Sequence, residues 1–125
     1  MCHQSVSLIA RHLENNNIPT VIMGCARDIV ENVGVPRFWL SDFPLGHSAG
    51  KPFDTASQDD TLSGALALFE TATRPNTTQI SPQVWAANDA WKADFMDVSK
   101  LDHDAIAKLR QSHEAVRATA RLKQE

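Results

Sequence analysis

The first half of the chain combines segments of helical and of strand-like hydrophobic periodicity. Val6, Ile9, Ala10 and Leu13 recur at helical spacing, which predicts a helix over residues 3–16. A short, continuous apolar run follows, which is typical of a strand buried in a parallel sheet. The same reasoning predicts these further elements: a strand at 19–23, a helix at 27–33, a strand at 37–41, a helix at 57–73 and a final helix of about twenty residues that begins at Asp102.

The order of these elements predicts an α/β fold. We expect a small parallel sheet flanked by helices in three layers, Rossmann- or flavodoxin-like, without an obvious first strand and with a C-terminal helical extension. Residues 1–74 would form this domain, and residues 75–125 an irregular connector and a helix that packs on the domain or on a partner. Because two strands make a poor sheet, a third is expected beside the strand at 19–23, contributed by a preceding segment, a partner chain or residues 76–88.

Composition and charge exclude several classes of function. The 125 residues carry 12 basic and 15 acidic side chains, and a net charge of −3 leaves no basic stripe for nucleic acid. No apolar run approaches the roughly 20 residues that a membrane span needs, and the first residues lack the pattern of a signal peptide. Two cysteines without an export signal predict free thiols in a reducing, cytoplasmic environment.

Three reactive side chains follow real or implied strands, namely Cys2, Cys25 and His47. Chemistry in parallel α/β sheets collects at the carboxyl ends of the strands, so we expect these residues to converge at one edge. Cys2 lies at the amino end of a predicted helix, where the helix dipole favours a reactive thiolate, or it is an ordinary exposed terminal residue. Cys25 follows Gly24 in a turn, and its alternative role is that of a small buried hydrophobe.

The segment 42–52 is too rich in glycine and proline for a regular element, and it carries the other candidate site residues. Asp42 and Gly46 are candidates for substrate binding. His47 is suited to act as a general acid or base, and Lys51 and Arg27 are suited to hold a substrate carboxylate. The alternative is a structural loop that exposes His47 at the surface.

The cysteines and histidines also allow a metal site or a disulfide. Cys2, His3, Cys25 and His47 have the ligand types that zinc prefers, but their spacing matches no compact metal-binding pattern, so we predict no metal. A disulfide between Cys2 and Cys25 would indicate redox chemistry rather than a structural cross-link.

Short motifs in the first seventy residues resemble a known family. They are Cys2-His3-Gln4-Ser5-Val6, Asn17-Ile18-Pro19-Thr20-Val21, Asp42-Phe43-Pro44-Leu45-Gly46-His47 and Gly50-Lys51-Pro52. In this order they resemble the selenoprotein B component of glycine, sarcosine and betaine reductases, and the related dithiol subunit of D-proline reductase. The resemblance covers residues 2–70, whereas residues 75–125 carry no motif of that family.

The resemblance implies a reductase that breaks a C–N bond next to a carboxylate in a small amino-acid-like substrate. In that family a selenocysteine or cysteine is the nucleophile and thiols supply the electrons; no flavin, nicotinamide or metal is implied. Cys2 matches the second cysteine of the family pattern, and the first would fall before Met1. Either Cys2 acts as the nucleophile with Cys25 resolving, or the chain is a non-catalytic α/β scaffold or interaction module that dimerises.

The expected partners follow from these observations. The resemblance implies a small carboxylate substrate, a thiol electron donor and the other subunits of a reductase complex. A strand at 19–23 without a neighbour on one side leaves backbone groups unpaired, which also favours a homodimer. Neither a nucleic acid nor a membrane is expected as a partner.

Overall fold

The computed structural model of the chain describes residues 2–93 and, further on, residues 102, 104, 106–108, 110, 111 and 114. The chain divides into two units, residues 1–87 and residues 88–125. Among the described residues, the first unit contains these elements in chain order: α1 (Cys2–Asn15), β1 (Ile22–Gly24), α2 (Arg27–Val33), β2 (Arg37–Leu40), α3 (Thr55–Thr71) and β3 (Thr77–Ile80).

Three parallel strands form the sheet, in the order β1-β2-β3. Gly24 in β1 pairs with Leu40 in β2, and Leu40 pairs with Ile80 in β3, so the three strands end at the same level. The residues that follow therefore leave the same edge of the sheet, which is where α/β proteins bind ligands. The predicted α/β fold, a small parallel sheet flanked by helices, is confirmed.

Side chains alternate across β2, so a separate core lies on each face of the sheet. On one face, Phe38 packs in a cluster with residues of α1 and α2. On the other face, Trp39 packs against Ala65 and Leu68 of α3. The first cluster consists of Ala10, Ile22, Val30, Val35, Phe38 and Leu40.

Helix α1 turns large apolar residues away from the sheet. Val6 and Ile9, which belong to the apolar periodicity that predicts this helix, are 41% and 58% exposed, whereas Ser7 and Ala10 are buried. Helical periodicity identifies an apolar face, but it does not say whether that face meets the domain's own sheet or another molecule.

Helix α3 also approaches the sheet through small residues. Ala65 is fully buried, and a Cβ atom added at Gly64 would lie 2.2 Å from the Trp39 ring. The larger residues Leu62 and Leu66 are about half exposed, at 49% and 51%. Helices α1 and α3, on opposite faces of the sheet, therefore both expose apolar side chains.

Strand β1 is shorter than predicted, and side chains of α1 and β2 hold the chain just before it. The Glu14 carboxylate of α1 accepts hydrogen bonds from the backbone N–H and the hydroxyl of Thr20, and it forms an ion pair with Arg37 of β2 at 3.0 Å. Arg37 also donates to the Thr20 carbonyl at 3.3 Å. Thr20 is thus bound by side chains, and the strand begins at Ile22.

The segment 74–88 is not wholly irregular, because it contains β3. This strand pairs with β2 and not with β1, so the third strand lies on the opposite side of the sheet from the expected position. Its sequence Thr77-Thr78-Gln79-Ile80 lies between Pro75 and Pro82 and is only half buried, so it lacks the apolar run that marks a buried strand.

Little of the second unit is described. A short 3₁₀ helix spans Asp89–Ala93, and the backbone N–H of Ile106 donates to the Asp102 carbonyl at 3.1 Å, as in a helical turn. The rest of the predicted final helix falls outside the described residues, and the boundary at residue 74 stays a prediction. In the part of the chain that is described, no helix is long and apolar enough to cross a membrane.

Candidate functional site

The segments that follow all three strands contribute to a site at the carboxyl edge of the sheet. Cys25 follows β1, and the loop that begins at Asp42 follows β2. The half-buried Cys25 sulfur lies 3.6 Å from the Ser48 hydroxyl oxygen, which is a hydrogen-bond distance for sulfur. The sequence therefore brings the first turn and the 42–52 loop together through the parallel register of β1 and β2.

Burial raises the pKa of the Cys25 thiol above its ordinary value, because a thiolate loses solvation in a buried position. The Ser48 hydroxyl and the backbone N–H groups of His47 and Phe43 lower the pKa, since hydrogen bonds stabilise the thiolate. The nearby Asp42 carboxylate raises the pKa by charge repulsion. The net direction is upward, so Cys25 is a protonated thiol at neutral pH.

The contact with Ser48 predicts how the alkylation of Cys25 depends on pH. Ser48→Ala removes a hydrogen bond that lowers the pKa, so the alkylation of Cys25 by iodoacetamide should require a more alkaline pH than in the wild type. The measurement is alkylation rate against pH, with Cys25 followed by mass spectrometry. Ser5→Ala, at an exposed position of α1, is the matched control and should leave the profile unchanged. An identical profile for Ser48→Ala would contradict the contact.

The same shift links the stability of the domain to pH. A thiol with a raised pKa contributes stability that is present below the ordinary cysteine pKa and is lost as pH rises through the folded-state value. The free energy of unfolding should therefore fall at alkaline pH, and Cys25→Ser should reduce this dependence.

His3 holds the turn that contains Cys25. Its imidazole Nε2 accepts a hydrogen bond from the backbone N–H of Cys25 at 3.1 Å, so this nitrogen carries no proton. Gly24 makes the approach possible, because a Cβ atom there would lie 2.9 Å from the His3 ring and 3.1 Å from the Phe38 ring. The start of α1 is thus fixed against the end of β1.

His47 is held by an aromatic residue from the segment that follows β3. The imidazole of His47 stacks on the Trp85 ring with centroids 4.8 Å apart and an interplanar angle of 27°. Trp85 also contacts the buried Phe43 ring at 5.3 Å, in a tilted arrangement. The sequence did not predict a role for Trp85, because β3, the strand that precedes it, was not predicted.

A polar network joins this third segment to α3 and to the loop. The hydroxyl of the buried Ser57 donates to the Gln83 side-chain oxygen and accepts from the Lys51 backbone N–H at 3.0 Å. The Gln83 side-chain nitrogen donates in turn to the Ser57 carbonyl at 3.0 Å and to the Thr61 hydroxyl at 3.1 Å. Asp54 caps α3 by accepting from the Ser57 N–H at 3.0 Å. Gln83 thus positions the segment that carries Trp85.

An open cavity of about 430 Å³ lies beside His47, between the loop and α3. Met23 and Leu62 contribute apolar surface to it, and Gly46 and Gly50 contribute backbone. The volume falls within the range of small-molecule sites, roughly 300–1,000 Å³. Because His47 contacts both the cavity and the Cys25 sulfur, the thiol and the cavity belong to one region.

The other predicted site residues lie at different places around this region. Cys2 is exposed at the first residue of α1 and is a free thiol. Asp42 is exposed next to Cys25, and Gly46 lines the cavity with a positive φ of 101°. Arg27 forms an ion pair at 3.0 Å with Glu31 of its own helix, exposed to solvent. Neither Arg27 nor Lys51 is among the residues that line the cavity beside His47.

The described residues show no group of three or more histidine, cysteine or acidic side chains arranged to hold a metal ion. Both cysteines are free thiols. The groups that the structure places around Cys25 are the Ser48 hydroxyl, the backbone amides of His47 and Phe43, and the Asp42 carboxylate.

Comparison with known proteins finds one partial relative among the curated proteins that match. The chain is 35% identical over 65 residues to D-proline reductase subunit gamma of Acetoanaerobium sticklandii. The chain is related to a reductase subunit. The aligned region is 52% of this chain and 27% of the relative, so the match spans about a quarter of the relative's length. The match supports a relation to the D-proline reductase family and not the narrower selenoprotein B assignment.

The other two comparisons add no further relationship. No family model matches the chain, and no solved structure matches it.

Proposed function

We propose that residues 2–87 form a thiol-dependent reductase-type domain that cleaves a C–N bond in a small amino-acid-like substrate, with Cys25 as the reacting thiol. The observation that carries the proposal is the Cys25 sulfur, which lies at the carboxyl edge of the sheet, 3.6 Å from the Ser48 hydroxyl oxygen. Cys25 does not itself line the cavity of ligand size, but the backbone N–H of His47, a residue of the cavity lining, bonds to its sulfur. The partial homology to a D-proline reductase subunit supports the reaction class.

In this proposal Cys25, and not Cys2, is the attacking thiol. Cys25 shares His47 with the cavity, whereas Cys2 lies on the exposed amino end of α1. Because burial raises the pKa of Cys25, the reaction requires its deprotonation and should accelerate with rising pH. Cys2 remains the second candidate, since its neighbour His3 bonds to the Cys25 turn.

The proposed reaction oxidises two thiols and reduces one C–N bond. The Cys25 thiolate attacks the carbon, the C–N bond breaks, and His47 donates a proton to the leaving nitrogen. One thiol of a dithiol donor then attacks the Cys25 sulfur, the C–S bond breaks, and the carbon takes up a proton. The second donor thiol releases Cys25 and leaves the donor as a disulfide, so electrons and atoms balance.

The test is reductive turnover by the full chain. D-proline, the substrate named for the relative, is incubated with dithiothreitol, and the ring-opened product is detected by NMR. We expect Cys25→Ser to abolish turnover and Cys2→Ser to retain it, with both variants folded by circular dichroism. Turnover that survives Cys25→Ser, or that is lost only in Cys2→Ser, would overturn the assignment of the attacking thiol.

A second candidate function is a non-catalytic scaffold that assembles with other subunits or with a second copy. The exposed apolar residues of helices α1 and α3 favour it, namely Val6 and Ile9 on α1 and Leu62 and Leu66 on α3. The raised pKa of Cys25 also favours it, since a protonated thiol is a weak nucleophile. Absence of turnover in the wild type, which retains both thiols, would support the scaffold.

A further inference from the structure

The cavity beside His47 is lined by one acidic residue and by no lysine or arginine. Lys51 and Arg27, the residues expected to hold a substrate carboxylate, are not part of this lining, all of which lies within the described residues. The acidic residue is Asp59, from the first turns of α3. Apart from His47, Asp59 is the only ionisable residue in the described lining.

The remaining lining sets the shape and polarity of the ligand. Met23 of β1 and Leu62 of α3 form an apolar wall, and the glycines of the loop leave space for a compact group. Apolar walls with a small number of charged or polar groups are typical of sites that orient small molecules. An apolar body against Met23 and Leu62 would leave a charged end for Asp59.

We infer that this cavity binds compact amines, with the ammonium group at Asp59 and an apolar body against Met23 and Leu62. The inference rests on the proposed function and names its substrate class. The nitrogen that leaves in the proposed reaction is then held in a cavity that also contains His47, the proton donor. A ligand that carries only a carboxylate is repelled by Asp59.

The experiment uses the full chain labelled at its methionine methyl groups, one of which belongs to Met23 in the cavity wall. Cyclopentylamine and cyclopentanecarboxylate are titrated separately, since they share an apolar ring and differ in charge. We expect cyclopentylamine to shift the Met23 signal with saturation, and cyclopentanecarboxylate not to shift it. Raising the salt concentration should weaken the binding of the amine.

Two variants test whether the Asp59 carboxylate binds the amine. Asp59→Asn should weaken the binding of cyclopentylamine about fivefold, as expected for an ion pair at a solvent-accessible site. Asp60→Asn is the matched control, because Asp60 is the next residue of α3, is exposed and does not line the cavity. Equal binding of the two probes, no binding of the amine, or an unchanged affinity in Asp59→Asn would overturn the inference.

A failure of the amine-binding inference can be distinguished from a failure of the proposed function. The titration is repeated in Cys25→Ser, where binding of cyclopentylamine should persist because the ammonium contacts Asp59 and not the thiol. Binding of the amine without reductive turnover would overturn the proposed function and support the inference. Turnover of D-proline without binding of the amine would overturn the inference alone.

Discussion

Gly50→Ala should lower the free energy of unfolding by about 3 kcal/mol, through backbone strain and overpacking together. Gly50 has a positive φ of 107°, a conformation that residues with a side chain rarely adopt. A Cβ atom there would also lie 2.8 Å from the Cα of Gln58 and 2.9 Å from the carbonyl carbon of Ser57. These are backbone atoms of α3, so the helix cannot yield as a flexible side chain would. Urea denaturation monitored by circular dichroism measures the loss.

Gly46→Ala separates the two contributions. Gly46 has a similar φ of 101°, but a Cβ atom there meets nothing within 4 Å. We therefore expect Gly46→Ala to lower the free energy of unfolding through backbone strain alone, by about 1–2 kcal/mol. The difference between the two variants measures the contact of the loop with α3. Equal losses in both would show that the loop does not pack on the helix as described.

The order of helices and strands could be predicted from the sequence, because apolar periodicity is a local property. Strand β3 could not, because Thr77–Ile80 is polar and half buried at the edge of the sheet. Its conformation depends on pairing with β2, which no local pattern reveals. The exposure of Val6 and Ile9 on α1 could not be predicted either, since the sequence does not say which surface an apolar stripe will meet.

The approach of Cys25 to the loop at 42–52 was predictable from the general rule that parallel strands end at one edge. The residues that hold Cys25 and this loop in place could not be predicted. Trp85 follows the strand that was missed, and His3 acts through a hydrogen bond to backbone, which leaves no signature in the spacing of residue types. The role of Asp59 depends on which turn of α3 borders the cavity, and that is a property of the packed structure.

His3→Ala should expose the backbone N–H of Cys25 to solvent and destabilise the domain by about 1–3 kcal/mol, the cost of leaving a partly buried hydrogen-bonding group without its partner. The imidazole is the acceptor of this N–H, and its ring also packs over Gly24. Water that enters the turn should reduce the burial that raises the pKa of Cys25, so the thiol should be alkylated faster at neutral pH. Hydrogen exchange of the Cys25 amide and its rate of alkylation measure the two effects.

A conservative variant distinguishes hydrogen bonding from loss of packing. His3→Gln supplies a side-chain carbonyl oxygen that can accept the Cys25 N–H, so it should restore slow amide exchange and most of the stability. His12→Ala, at an exposed position of the same helix, is the control for general effects on α1 and should change neither measurement. If His3→Gln behaves like His3→Ala, the ring acts by covering Gly24 and not by accepting the bond. If neither variant changes the exchange of the Cys25 amide, His3 does not hold the turn, and the link between α1 and the thiol is lost.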